Sequence, residues 1–495
     1  MKKYVFLISK IALLAVSLIG YSCYSGFYGK AGSPSRYSPE SPLYPPLDGM
    51  ENTDEFDEIT ENDFILAAEK PDSYFSLNIN TASYAVIRRS INNNTAIYKD
   101  QVLIEEMLNY FKFDYTVPAA GETLSLSGSL TPCPWNEEAH LLSIGIKTEE
   151  VEMSNIDNNL VFLIDVSGSM FPSDRLPLVQ EAFKLLAENL NNNDRVSIVT
   201  YASGVGISLD GAMGYEKGKI CAVIEDLNAG GSTSGAGGIQ KAYEIAAKYF
   251  KENGNNRVIL ATDGDFNVGI SSQSDLEKFI SEKRATGIYL TVLGVGMGNQ
   301  KNNKMETLAN CGNGNFAFLD SINEARKVLV EEAGGTLKTV AKDTKAMVSF
   351  NPDNVEKYRQ LGYENRQLSA EDWEDENKDA GELGAGRCIT AVYEVILKDG
   401  GSASSPFAWA AVRFKDPETE ASREISIDIS VLSIPDNDVK FISAVVESAL
   451  IMRNSPYKAG ASINSVITRL ESLGLKDEYK LEFLDLMKKY KPQIK

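Results

Sequence analysis

The chain has few of the side chains from which many catalytic sites are built. It contains a single histidine, His140, among 495 residues, which excludes zinc clusters held by several histidines. A Ser-His-Asp triad would have to use this residue, and no Gly-x-Ser-x-Gly segment is present to support one. Because His140 heads a predicted strand, we expect a structural or surface role for it.

Cysteine is scarce as well, with five residues in the whole chain. The spacings are wide, and no Cys-x-x-Cys pair occurs. An oxidising compartment would permit disulfides, but the helical apolar pattern around Cys221 favours a buried thiol. We therefore predict free thiols at the four cysteines of the body of the chain, Cys133, Cys221, Cys311 and Cys388.

Basic residues are outnumbered: 49 Lys and Arg stand against 69 Asp and Glu, for a net charge of −20. This balance argues against a nucleic-acid partner, because binding to a phosphate backbone depends on basic residues that release counterions. The acidity favours solubility instead. A nucleotide partner is not indicated either, since residues 294–298 lack the third glycine of a nucleotide-binding loop and open no clear helix.

The N-terminus lacks a hydrophobic run long enough to cross a bilayer. Residues 11–20 are mostly apolar and follow a basic start, Met1-Lys2-Lys3, which is typical of a signal-peptide core. Cys23 then stands in a loose version of a lipoprotein cleavage box. We predict a lipoprotein signal peptide over residues 1–23 and a lipid anchor at Cys23 that holds an exported protein to a bacterial membrane, periplasmic or surface-exposed. An ordinary secretory signal is the alternative.

The segment after the signal peptide, residues 24–72, is predicted to be a flexible tether. Its first part is rich in proline, serine and glycine, and an acidic stretch with few apolar residues follows over residues 48–63. Both compositions favour an extended, poorly packed chain.

The middle of the chain, residues 159–335, alternates short apolar strands with amphipathic helices. This pattern predicts an α/β fold, a doubly wound and mostly parallel sheet covered on both faces. A helix over residues 323–332 closes it. The predicted strands are Leu160–Ile164, Val196–Tyr201, Val258–Thr262, Tyr289–Gly294 and Asn315–Leu319.

Two flanking regions surround this domain. Residues 73–158 begin with helical patterns and end in strands, while residues 336–495 carry several strands and then two predicted helices over residues 440–491. Neither flank has enough strands for a complete sandwich. We hypothesise that the flanks pair with each other around an inserted α/β domain; separate N- and C-terminal domains are the alternative.

Oxygen-bearing side chains follow two predicted strands and lie in a third segment between them. Asp165, Ser167 and Ser169 follow the first strand, Thr233 lies in a Gly-Ser-Thr loop, and Asp263 follows another strand. Ligands bind outside the carboxyl ends of strands in open α/β sheets, and carboxylate and hydroxyl oxygens suit Mg²⁺ or Mn²⁺. The sequence therefore predicts a metal site.

This five-residue pattern resembles the metal-ion-dependent adhesion site of von Willebrand factor type A domains, which have a Rossmann-like fold. Further motifs, at residues 75–84, 131–136, 259–269 and 362–366, resemble the YfbK-like bacterial type A lipoproteins. One departure is visible at Leu77-Asn78-Ile79-Asn80, where that family usually carries acids. The resemblance implies that Ser167, Ser169 and Thr233 bind the metal directly, and that Asp165 and Asp263 act mainly through bound waters.

The expected function is binding, not catalysis. Neutral ligands leave much of the cation's charge uncompensated, so an open coordination position favours a Glu or Asp carboxylate of a protein partner. Asp265 and Asn267 lie on the same rim, where they either contact the ligand or form the turn. A metal-dependent hydrolase and an assembly factor working with an envelope complex are the alternatives.

Overall fold

The computed structural model describes residues 56–493 except for 78, 153–155, 233–235, 265–271, 297–301 and 400–404. The predicted signal peptide, the lipidation site Cys23 and residues 24–55 of the tether lie outside these residues. The elements before the α/β domain are β1 (Ile65–Leu66), β2 (Asp72–Ser76), α1 (Ala82–Asn92), α2 (Ile104–Asn109), β3 (Leu124–Pro132) and β4 (His140–Thr148).

The α/β domain contains β5 (Asn158–Asp165), α3 (Leu176–Glu188), β6 (Arg195–Tyr201), β7 (Val205–Met213), α4 (Lys217–Glu225), α5 (Ala236–Lys248), β8 (Asn255–Thr262), α6 (Gln273–Arg284), β9 (Ile288–Val295), α7 (Asn302–Cys311), β10 (Phe316–Leu319) and α8 (Ile322–Arg326). A π-helical turn, Lys327–Glu331, joins α8 to α9 (Ala333–Leu337). These three helical pieces, residues 322–337, form the closing helix.

After the closing helix come β11 (Thr339–Phe350), β12 (Val355–Leu361), β13 (Gln367–Leu368), α10 (Ala370–Glu374), β14 (Gly381–Gly384), β15 (Cys388–Leu397), β16 (Ala408–Lys415), β17 (Ser422–Ile429), α11 (Asn437–Arg453), α12 (Ile463–Ser472) and α13 (Glu478–Tyr490). The prediction of two helices over residues 440–491 is wrong, because three are present. The break between α11 and α12 follows Asn454, whose φ is +51°, and Pro456 lies just beyond it.

The sheet of the α/β domain confirms the predicted fold class. Its strand order is β10-β9-β8-β5-β6-β7, and all neighbours are parallel except β6 and β7. Alternate residues of β5 face opposite sides: Phe162 stacks on Phe183 of α3, while Val161 and Leu163 pack in the core that includes residues of α5 and α6. The five predicted strands are all present, and the antiparallel edge strand β7 was missed.

The flanks pair with each other, as hypothesised. One sheet has the order β1-β12-β15-β4-β3 and the other β13-β2-β11-β16-β17, so each mixes strands from both sides of the α/β domain. The pairing of β4 with β15 runs from Lys147 opposite Cys388 to His140 opposite Val395. Apolar residues of both sheets share one core, so the α/β domain is an insertion into a two-sheet flanking domain.

The tether prediction is wrong for residues 56–72, which pack onto the flanking domain. Ile59 and Ala67 are buried, and β1 pairs with β12. The acids of this stretch find partners there: Glu61 lies 3.6 Å from the guanidinium of Arg359. Composition suggested disorder because few residues are apolar, whereas ion pairs and hydrogen bonds hold the segment in place.

All four described cysteines are free, as predicted. Cys133 and Cys388 are buried, but Cys221, which was predicted to be buried, is only partly buried, as is Cys311. His140 begins β4 and is partly buried, and burial lowers its pKa. Among the described residues no helix combines the length and apolar character needed to cross a bilayer.

Helices α1, α2 and α11–α13 form a second core, and Glu106 of α2 is buried beside it. Its carboxylate accepts a 2.9 Å hydrogen bond from the backbone N–H of Ser83. Burial, together with the negative charges of Glu306 and Glu105, raises the pKa of Glu106 from its ordinary 4.5 to about 8. Between these two values the folded chain keeps a proton that the unfolded chain has lost, so stability falls as pH rises.

We therefore expect Glu106→Gln to raise Tm above that of the wild type at pH 8 and to change it little at pH 5. Glutamine keeps the acceptor oxygen for Ser83 and carries no charge. Thermal melts at both pH values measure this, with the exposed Glu58→Gln as control. A Tm difference that does not vary with pH would contradict the expectation.

Candidate metal centre

The first part of the centre is the turn that follows β5. The backbone N–H of Ser167 donates a 2.9 Å hydrogen bond to Oδ1 of Asp165, which bends the chain back over the end of the strand. A single 3-10 turn, Gly168–Met170, follows. The hydroxyls of Ser167 and Ser169 then lie 3.0 Å apart. Because one residue separates the two serines, this turn places their hydroxyls side by side.

A second segment, residues 229–232, lies against this turn. Its Gly230 N–H donates to the carbonyl of Val166 at 2.8 Å, and its Gly231 carbonyl accepts from Gly168 N–H at 2.9 Å. Gly231 has a φ of +79°, and a Cβ there would lie 2.4 Å from the Ser203 hydroxyl. Only glycine therefore allows this close approach. Thr233, two residues further on, lies outside the described residues, as do the rim residues Asp265 and Asn267.

The third part comes from β8, which is the parallel neighbour of β5. Because the two strands end side by side, Asp165 and Asp263 reach the same edge of the sheet, and both are buried. Burial and, to a smaller extent, the charge of Asp263 raise the pKa of Asp165 to about 6, although hydrogen bonds from Ser167 lower it. Two buried carboxylates at one place are costly unless a cation compensates them.

The sequence reasoning missed Arg175, the residue directly before α3. Its Nη1 forms an ion pair with Oδ2 of Asp263 and donates a 2.8 Å hydrogen bond to the carbonyl of Ser169. The side chain is 6% exposed. Its place in the sequence, six residues beyond Ser169, gives no sign that it turns back toward the serines.

The described donors fit the predicted cation. Asp165, Ser167, Ser169 and Asp263 offer two carboxylates and two hydroxyls at the carboxyl edge of a parallel sheet, the donor type that Mg²⁺ and Mn²⁺ prefer. One large apolar side chain stands beside them: Phe171 directly follows the 3-10 turn and is 79% exposed.

A second group of carboxylates, Asp343, Asp379 and Glu382, has oxygens within 4.8 Å of one another. Lys415 lies 2.8 Å from Asp343, and Arg284 lies 2.9 Å from Asp379. Side-chain cations therefore already compensate part of this charge. Since Arg284 ends α6 just before β9 begins, this group lies at the sheet edge opposite the candidate metal centre.

Residues 77–80 lack the acids that the resemblance would imply, and Asn80 makes two side-chain hydrogen bonds there. Its side-chain amide donates to Glu306 of α7 at 3.1 Å, and its carbonyl oxygen accepts from the N–H of Phe316 in β10 at 3.2 Å. The flank thereby contacts the α/β domain through a buried amide. Asn78 lies outside the described residues.

Family models match three parts of the chain. Residues 159–331 match the von Willebrand factor type A domain, residues 50–143 match a von Willebrand factor model, and residues 335–492 match the C-terminal region of uncharacterized protein YfbK. Uncharacterized protein YfbK of Escherichia coli is 37% identical over 468 residues, which cover 88% of this chain and 80% of that one. The chain belongs to the YfbK family.

Other known proteins are similar to parts of this YfbK family member. Inter-alpha-trypsin inhibitor heavy chain H2 of Homo sapiens is 26% identical over 149 residues, 28% of this chain and 16% of that one. The solved structure of von Willebrand factor type A from Catenulispora acidiphila covers 74% of this chain and 89% of that one, at 16% identity and a TM-score of 0.41. The family supports a protein-interaction or adhesion-like role over a catalytic one.

Proposed function

We propose that this YfbK family member is an exported protein-binding module of the bacterial cell envelope that engages a partner's Glu or Asp carboxylate through a bound Mg²⁺ or Mn²⁺. One observation carries the proposal. The buried carboxylates of Asp165 and Asp263 and the hydroxyls of Ser167 and Ser169 converge at the carboxyl edge of the sheet. The proposed location in the cell envelope rests on the predicted signal peptide and on the predicted lipid anchor at Cys23.

Each residue has a distinct task in this proposal. Ser167 and Ser169 would hold the ion directly, together with Thr233, while Asp165 and Asp263 would orient its waters. When bound, the ion supplies a position that attracts an anionic oxygen. Because the hydroxyl ligands are neutral, they leave the ion's charge available to the partner.

The surroundings of the centre also favour a protein partner. Phe171 offers an exposed ring beside the serines, and exposed aromatic side chains are frequent anchors in protein interfaces. The net charge of −20 opposes an acidic partner weakly, because charges beyond about 10 Å are screened at ordinary salt. Recognition would therefore depend on the local charge of the centre.

Calorimetric titration with Mg²⁺ and Mn²⁺ tests the metal first. We expect saturable binding by the wild type, and no detectable binding by Asp165→Asn or by the double variant Ser167→Ala, Ser169→Ala. Asp210→Asn is the matched control, since Asp210 is an exposed acid on β7 of the same sheet. Absence of both Mg²⁺ and Mn²⁺ uptake by the folded wild type would refute the proposal.

Affinity capture from envelope extracts then tests the partner. Capture should require Mg²⁺, disappear with chelator and with Asp165→Asn, and persist with Asp210→Asn. Cell fractionation of a Cys23→Ser variant tests the anchor, with Cys221→Ser as control. We expect loss of membrane association for Cys23→Ser alone. Capture that is unaffected by chelator would contradict a metal-dependent role.

A further inference from the structure

Arg175 is a cation built into the candidate metal centre. One guanidinium nitrogen contacts two of its loops, through Oδ2 of Asp263 after β8 and the carbonyl of Ser169 after β5. The side chains of Arg175 and Asp263 are 6% and 0% exposed, so water screens this ion pair little. The charge of Arg175 therefore acts on the centre with less screening than an exposed charge would.

The loop after β9 holds the guanidinium in this position. At Gly296, which has a φ of +81°, an added Cβ would lie 2.4 Å from Nε of Arg175. The carbonyl of Gly296 in turn accepts a 2.8 Å hydrogen bond from Arg89 of α1. Arg175 thus lies between the metal centre and a backbone segment that the flanking domain contacts through Arg89.

The position of Arg175 changes the charge that the centre presents. Asp165 and Asp263 carry two negative charges, and Arg175 cancels one of them. A divalent cation then leaves the described side chains of the centre with one net positive charge. Without Arg175 the same ion would leave the centre neutral.

We infer that Arg175 is a specificity-determining residue that weakens cation binding and keeps the occupied centre positive, so that it selects an anionic ligand. The inference rests on the proposed function and adds the residue that sets its charge preference. It predicts opposite effects on the two ligands: removing the guanidinium charge strengthens metal binding and weakens carboxylate binding. A merely structural role would weaken both.

The experiment titrates Mg²⁺ into the full mature chain by calorimetry, in chloride and in acetate at equal ionic strength. Acetate is the carboxylate probe, because linkage makes a bound anion tighten Mg²⁺ by the same factor as Mg²⁺ tightens the anion. We expect Arg175→Met to bind Mg²⁺ at least about tenfold more tightly than the wild type, since a charge contacting Asp263 is removed. Acetate should tighten Mg²⁺ binding in the wild type and not in Arg175→Met.

Two further variants complete the test. Arg175→Lys keeps the charge and should behave like the wild type, and Arg195→Met removes an arginine that stacks on Tyr249, away from the centre. Thermal melts give an independent readout. Metal-free Arg175→Met leaves Asp263 without its cation, so it should melt below the wild type and gain more from Mg²⁺.

The possible failures are distinguishable. If the wild type takes up Mg²⁺ and folded Arg175→Met binds it equally or more weakly, this inference is overturned and the proposed function stands. If the wild type takes up neither Mg²⁺ nor Mn²⁺, both are overturned. If neither Arg175→Met nor Arg175→Gln folds at saturating Mg²⁺, the arginine is structural, which also overturns the inference.

Discussion

Replacing Arg88 with methionine is expected to destabilise the chain by about 3–5 kcal/mol, because it leaves buried carboxylates without their cation. Arg88 belongs to α1, and its side chain is 5% exposed. It pairs with Asp320 at 2.5 Å, with Glu324 at 2.7 Å and with Glu482 at 3.0 Å. One guanidinium thus joins the N-terminal flank, the start of the closing helix and α13.

The loss should depend on pH. Even with Arg88 in place, burial raises the pKa of Glu324, which Arg88 lowers and Asp320 raises. Removal of the guanidinium raises this pKa further, so the folded variant takes up a proton at low pH that relieves the charge. The deficit of Arg88→Met in urea denaturation should therefore be smaller at pH 5 than at pH 8.

A double-mutant cycle separates this charge effect from lost packing. Adding Glu324→Gln to Arg88→Met removes one unpaired carboxylate and should recover part of the loss. Arg195→Met is the control, because Arg195 stacks on a ring and forms no described ion pair; it should cost about 1 kcal/mol or less. Equal losses for the two arginine variants, without pH dependence, would contradict the expected role of Arg88.

The sequence predicted the α/β domain well because its signals are local. Strands buried on both faces are continuous apolar runs, as Leu160–Ile164 illustrates, and such runs need no knowledge of their neighbours. Strand β7 was missed because glycine and serine interrupt it, and residues 205–208 are exposed. It is a strand because it pairs with β6, and its own composition does not predict this pairing.

In the candidate metal centre, too, the sequence predicted some residues and missed others. Asp165, Ser167, Ser169 and Asp263 follow strands whose ends meet in any parallel sheet, so topology alone brings them together. Arg175 reaches the centre because the chain turns back after Ser169 and because its side chain is long. The spacing of residues in the sequence predicts neither feature. The network around Arg88 was equally hidden, since its members are separated by up to 394 residues.

The pairing of the flanks could be predicted because each has too few strands for a complete sandwich. Backbone hydrogen bonds show how the flanking domain accommodates the insertion. The N–H groups of Ala385 and Gly386 donate to the carbonyls of Lys338 and Glu149, at 2.9 and 2.7 Å. The segments that enter and leave the α/β domain, at Glu149 and Lys338, therefore contact two adjacent residues of the flanking domain. The flanking domain is continuous in space although about 190 residues separate its halves in sequence.

A chain truncated after residue 337 is accordingly expected to lose the fold of its N-terminal flank while its α/β domain stays folded. Strand β4 would lose β15, and the hairpin of β3 and β4 that remains is marginal in water without a third strand or a packing partner. Hydrogen exchange measures the outcome. Amides of residues 141–146 should exchange at least about a hundredfold faster than in the intact chain, whereas those of residues 160–164 should remain protected.

Adding residues 338–493 as a separate polypeptide is the matched test of the cause. It supplies β11, β12, β15 and the three C-terminal helices, and it should restore protection in residues 141–146 if pairing between the halves is what stabilises them. A chain with independent N- and C-terminal domains would behave differently, because β4 would stay protected after truncation and gain nothing from the added fragment. The two architectures thus predict opposite exchange in a single strand, and the 8-residue register between β4 and β15 favours the first.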